Sequence, residues 1–199
     1  SISGIRGTIG GPAGEGLTPP DIVKFGTGYA QWVQERSGRS QPTVVVGRDA
    51  RLSGEMVRDC LVGTLNAMGV HVIDLGLSTT PTVELAVPAE QADGGIILTA
   101  SHNPKQWNAL KLLDETGEFL SSKDGERVLE LSQGHPAFAE VDHIGNVHMR
   151  LDWMQKHVGL ALELDLVDAA EVQNRRFKVA VDAVNSTGGL IIPMLLEAM

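Results

Sequence analysis

The feature that most constrains this chain is an alternation: short aliphatic, β-branched runs take turns with amphipathic stretches at helical spacing. Residues 43–46 form such a run and end in Gly47-Arg48-Asp49, so a buried strand passes into a loop. Residues 70–75 repeat the pattern, and so do residues 95–99 with Ile96-Ile97-Leu98 at their centre. Between the runs lie helical stripes. In the first, Ser53 can cap, Val57, Cys60, Leu61, Leu65 and Met68 share one face, and Gly69 is the stop. Residues 81–92 supply the next. Upstream, Thr18-Pro19-Pro20-Asp21 reads as a helix start, because Thr18 can cap, proline costs nothing in a first turn and Asp21 favours the positive helix end. Ile22, Phe25, Gly26, Tyr29, Trp32 and Val33 then fall on one face. Strands and helices alternating through short connections predict a three-layer α/β/α sandwich with a mostly parallel, mixed sheet.

The remainder is less regular. Residues 110–120 alternate around Gly117 like a hairpin, and residues 122–133 read as a helix. Residues 134–150, rich in His, Pro and Gly, read as a linker. Residues 151–172 are expected to be helical, 177–181 to be a strand and 186–199 to begin another helix. The domain reading is therefore residues 1–140 as one α/β domain and 151–199 as the incomplete start of a second α/β unit. A chain that stops inside a helix reads as a piece of a longer one.

Composition removes some classes of function. The 25 acidic and 16 basic residues give a net charge of −9, which disfavours nucleic acid as the partner but leaves room for a small phosphorylated molecule held by local cations. Cys60 is the only cysteine, so no internal disulfide can form, which suits a reducing cytoplasm. The opening residues lack the pattern of a signal peptide. The most apolar late stretch, 190–196, is short and broken by Pro193, so no membrane partner is expected. Oligomeric state is left open.

In open α/β sheets ligands bind beyond the carboxyl ends of the strands. Two loops there are rich in polar groups: residues 47–53 and 99–108. The second holds Thr99-Ala100-Ser101-His102-Asn103-Pro104. A serine so placed can act as a nucleophile when a neighbour takes its proton and cations hold a phosphate. His102 is adjacent, and Lys111 can be returned to the loop by the hairpin. On spacing alone the same residues also make an ordinary turn, with Lys111 a solvated charge. Arg48 and Arg51, beside Asp49, suit an ion pair that fixes the loop as well as a ligand contact. His135, His143 and His148 with Asp142 match no compact metal-ligand spacing.

The segment TASHNP, followed by Asn108-Ala109-Leu110-Lys111, resembles the phosphoserine loop of the α-D-phosphohexomutases. Ser3-Gly4-Ile5-Arg6-Gly7 resembles the arginine motif of that family, residues 46–54 its GRD-x-R-x-SG motif, and residues 182–189 the first strand and turn of its second domain. One departure is Ala109, where many members have glycine. The resemblance implies that Ser101 carries a phosphoryl group, gives it to a hexose phosphate and recovers the other phosphate from the resulting bisphosphate. It implies Arg6 and Lys111 as holders of the phosphoryl oxygens, with Lys111 or His102 as general acid or base, and Arg6, Ser101, His102 and Lys111 as the substrate contacts. It also implies Mg²⁺ on the Ser101 phosphate, completed by aspartates that this chain lacks, and hexose 1,6-bisphosphate as activator. Glucosamine, mannose and glucose phosphates are all open as substrates. The alternatives are a phosphosugar-binding or phosphoserine-regulated module without turnover, and a metal-dependent phosphatase using Asp49 and Asp182.

Overall fold

The computed structural model of the protein describes residues 4–199. Ser3 of the arginine motif lies outside the described residues. In chain order the elements are β1 (Ile5–Thr8), α1 (Pro19–Ser37), β2 (Thr43–Arg48), α2 (Gly54–Ala67), β3 (His71–Leu77), α3 (Thr80–Ala89), β4 (Gly94–Leu98), β5 (Trp107–Leu113), α4 (Ser122–Leu131), a 3₁₀ turn (Val141–His143), β6 (Val147–Met149), α5 (Trp153–Leu162), α6 (Ala169–Arg175) and α7 (Gly188–Ala198). Six strands share one sheet in the order β1-β5-β4-β2-β3-β6. β4, β2, β3 and β6 run parallel, while β5 is antiparallel to both β4 and β1.

Both faces of the sheet are covered, as continuous apolar strand runs require. On one face Val44, Val46, Val72, Ile96, Leu98 and Leu110 pack beneath Ile22, Tyr29 and Val33 of α1, Val57, Leu61 and Leu65 of α2, and Val128 of α4. On the other, Val45, Leu75 and Ile97 meet Val83, Ala86 and Val87 of α3 and Trp153 of α5. The mixed α/β/α sandwich read from the sequence is the fold observed. Tyr29 ties the layers together: its hydroxyl lies 2.7 Å from the Leu113 carbonyl oxygen and 3.1 Å from that of Gly95. Complete burial drives its pKa far up, so the phenol stays a neutral donor.

β3 lies on one side of β2 and β4 on the other, while α2 and α3 cover opposite faces. The winding therefore reverses between β2 and β4, the place where ligands bind in open α/β sheets, and there the loop after β2 is hydrogen-bonded to the loop after β4. The α1 start closes in from one edge. Burial opposes ionisation of Asp21, but the Thr18 hydroxyl and the N–H groups of Thr18 and Gly14 hold its carboxyl below the usual range. That carboxylate thus caps the helix and pins the Gly-rich opening.

Several expectations change. The antiparallel partner of β5 is β4, with Ile97 opposite Lys111, so the long connection of that hairpin is the serine loop itself. The return expected over residues 114–120 makes a single bridge, Leu113 to Phe119. The expected linker is docked onto the sheet. Ala139 N–H donates to the Ala67 carbonyl, Gly145 N–H to that of Asn66, and β6 pairs with β3 from Val72–Val147 to Asp74–Met149. Residues 151–172 form two helices, because the chain turns at 163–168 and the Asp168 carboxylate accepts from Glu171 N–H to start α6 afresh. Residues 177–181 form no ladder, and Phe177, Val179 and Val181 are exposed. A strand needs a neighbour, and none is offered among the described residues.

Candidate active site

The carboxyl ends of β2 and β4 are stitched together by polar groups. Asp49 Oδ1 accepts from the Arg51 main-chain N–H at 3.0 Å, and Oδ2 accepts from Thr99 Oγ1 at 2.6 Å. Thr99 Oγ1 in turn accepts from Ser101 N–H at 3.1 Å. Asn103 N–H closes a turn on the Ala100 carbonyl at 3.0 Å, reinforced by its own side-chain amide at 2.8 Å. Ser101 is the second residue of this turn with φ +53°, while His102 after it is not left-handed. Positive φ confined to that position is the pattern of a type II′ turn, which favours glycine. Holding a serine there costs about 1–3 kcal/mol, supplied by the surrounding bonds. The result is an exposed hydroxyl on a rigid corner, with His102 Nδ1 3.3 Å from Ser101 Oγ.

Arg6 lies opposite Ala109 in the β1–β5 register, and Lys111 is two residues further along β5. Cross-strand partners and i, i+2 neighbours share a face, so Arg6 and Lys111 lie on the same side of the sheet, the α3 side marked by Ile97. The Ala109 carbonyl also accepts from Thr99 N–H at 3.2 Å, two residues before Ser101. Ser101 and His102 thus stand in the loop after β4, while Arg6 and Lys111 lie within β1 and β5 on the α3 face. The Lys111 ammonium rests 5.4 Å from the centre of the Phe119 ring. It faces Glu84 of α3, whose carboxyl is raised by burial and lowered in part by Lys111.

Arg51 proves to brace the loop rather than face outward. Its guanidinium donates to the main-chain carbonyls of Ser101, Asn103, Pro104 and Trp107 at 2.7–3.0 Å. Arg48 instead pairs with Glu55 at 3.0 Å and donates to the Asp49 carbonyl. Asp49 accepts from Arg51 N–H and Thr99 Oγ1, and the exposed Asp182 carboxylate accepts from Val184 N–H. Sequence reading missed Thr99 as the bridge and Asn108, which is wholly buried and donates to Ser53 Oγ at 3.0 Å. The polar pair flanking two apolar strands was the signal for both.

Phosphohexomutases are in general metal-dependent. Among the described residues no group of three or more His, Cys, Asp or Glu could hold a metal ion. Ser101 supplies one oxygen, whereas Mg²⁺ takes about six ligands. These residues do not build a metal site by themselves. No described helix is long and apolar enough to cross a membrane.

Fold and site together define a class: an α/β/α sandwich that presents a strained, exposed serine at the switch point of its sheet, with a histidine beside it. The chain belongs to the phosphoglucomutase/phosphomannomutase family, whose alpha/beta/alpha domain I matches residues 2–135. It is 38% identical to a phosphoglucomutase/phosphomannomutase of Thermococcus kodakarensis, over 97% of this chain and 42% of that protein. It is 32% identical to a phosphoglucosamine mutase of Limosilactobacillus reuteri, over 94% of this chain and 41% of that protein. A Burkholderia thailandensis crystal structure of the same family shares the fold, with a TM-score of 0.74 at 24% identity, covering 98% of this chain and 41% of that one. The chain thus spans about two-fifths of the length of its relatives.

Proposed function

We propose that this chain is the phosphoserine-bearing part of a phosphohexomutase, an intramolecular phosphotransferase that interconverts hexose 1-phosphate and hexose 6-phosphate. The observation that carries this reading is Ser101, an exposed residue held at φ +53° in the loop after β4, with Arg6 and Lys111 on one face of β1 and β5. The names of the relatives support it.

In the first step the bond from phosphorus to Ser101 Oγ breaks as one forms to the free hydroxyl of the sugar phosphate. The proton of that hydroxyl goes to His102 as base, and Ser101 Oγ, as it leaves, takes up a proton from His102 or from the Lys111 ammonium. The bisphosphorylated sugar turns over and returns its other phosphate to Ser101. Such transfer depends on positioning and charge more than on covalent chemistry. Arg6, with its planar fork, holds phosphoryl oxygens in pairs, and Lys111 adds a mobile point charge. The substrate class is a small phosphosugar (glucosamine, mannose or glucose phosphate), with hexose 1,6-bisphosphate as activator. Mg²⁺ belongs to the same proposal, with one Ser101 phosphate oxygen as this chain's share. A reducing, cytoplasmic setting fits the lone Cys60.

The test is to incubate the full-length protein with glucose 1,6-bisphosphate and measure intact mass. The native protein is expected to gain one phosphoryl group and the Ser101→Ala variant none. A serine charged only by a kinase would point instead to a regulated module, and the mutase reading would fail.

A further inference from the structure

Arg51 does more than an ion pair bracing a loop requires. Its side chain is 11% exposed, and each of its four terminal N–H bonds ends on a main-chain carbonyl of the serine loop. Nη2 reaches Ser101 O at 2.7 Å and Asn103 O at 2.8 Å, while Nη1 reaches Trp107 O at 2.9 Å and Pro104 O at 3.0 Å. Nε alone is without an in-line acceptor, since Asp49 Oδ2 lies 3.3 Å away but off the N–H direction.

In a trans peptide the C=O of one residue and the N–H of the next point in opposite directions. The described chain holds no cis peptide bond. With the carbonyls of Ser101 and Pro104 drawn in towards Arg51, the N–H groups of His102 and Lys105 are turned away from it. Both residues are exposed, and among the described residues neither main-chain N–H donates to a protein acceptor. Their neighbours differ: Ser101 N–H is held by Thr99 Oγ1 and Asn103 N–H by the Ala100 carbonyl.

We propose that Arg51 is the positioning residue of the Ser101 loop, and that the His102 and Lys105 amides it turns outward receive the oxygens of a phosphoryl group on Ser101. This rests on the reading of Ser101 as the phosphoryl carrier and assigns the main-chain part of its anion site. Outward amides beside an anion attract it without needing a side chain. Lysine cannot replace the fork, because a single ammonium has three donors and no planar geometry to span four carbonyls.

The experiment uses the ¹⁵N-labelled full-length protein, charged with glucose 1,6-bisphosphate, and compares amide shifts before and after. Charging should move the His102 and Lys105 amides further downfield than the Asn103 amide. In the Arg51→Lys variant that difference should vanish, and kcat should fall about 100-fold, the scale of an ångström-sized misplacement, with KM nearly unchanged. A charged protein in which His102 and Lys105 do not move, or an Arg51→Lys variant with native kcat, overturns the inference while leaving Ser101 as carrier. A native protein that the bisphosphate fails to charge overturns the reading of Ser101 itself. The shift comparison needs only native protein, so it decides even where the variant does not fold.

Discussion

Gly117 and Glu84 meet where two elements press together. Pro88 sits inside α3, so the Glu84 carbonyl lacks the N–H that would normally reach it from four residues on. The Gly117 Cα docks against that carbonyl, and a Cβ there would overlap the Glu84 oxygen. Gly117 also has φ +83°. Gly117→Ala is therefore expected to destabilise the protein by about 2–4 kcal/mol, from overpacking and left-handed strain together. A urea midpoint equal to the native one would contradict this. Tyr29→Phe tests the other buried contact: the Leu113 and Gly95 carbonyls lose their shared hydroxyl, at a cost of about 1–3 kcal/mol read in the same titration. At this scale the sequence is uneven. Ser101 and His102 stand out because a polar cluster follows an apolar strand, Lys111 because a hairpin can return it to that loop, and Arg6 only through the resemblance of its motif. The φ of Ser101 is not, since serine carries no left-handed signal. Arg51 was weighed between ligand and brace, and its acceptors are backbone oxygens that no side-chain pattern encodes.

Among the polar contacts by which α5 packs on α3, one is a histidine. His157 Nδ1 lies 2.9 Å from Thr82 Oγ1, and burial lowers the imidazole pKa below 6.5. The unfolded chain therefore takes up the proton first, and stability falls as the pH drops through 6.5 towards the folded-state value. Above 6.5 the contact makes its full contribution. Native protein should lose more thermal stability between about pH 7.5 and 5.5 than the His157→Gln variant. Equal losses would show that other groups carry the pH dependence, among them Glu90, Lys156 and Asp152 at the same junction. Elements with strong periodicity, α1 to β4, follow the sequence within a few residues. β6 does not stand out, because Val147, His148 and Met149 are all exposed at the sheet edge and show no alternation. The run at 177–181 has strand chemistry, but strand formation is a pairwise property that a single segment's sequence does not hold.

For the whole molecule the decisive fact is that the serine corner stands open. Ser101 and His102 are exposed, the Arg51 charge is spent on the loop, and Lys111 rests against Phe119. Transfer to a sugar hydroxyl instead of to water requires a cleft that excludes water and fixes the acceptor. Residues 4–199 present one wall of such a cleft, and the relatives are more than twice as long. The 199-residue chain is accordingly expected to show little or no turnover of glucose 1-phosphate in the presence of glucose 1,6-bisphosphate, while the full-length protein turns over under the same conditions. Losing the other wall removes acceptor positioning but not the loop, because its bracing is internal to β2, β4 and the segments after them. Amide hydrogen exchange over residues 99–108 should therefore be the same in both proteins. Robust mutase activity from the short chain would mean that the serine corner alone selects the sugar, and the argument from cleft closure would be wrong.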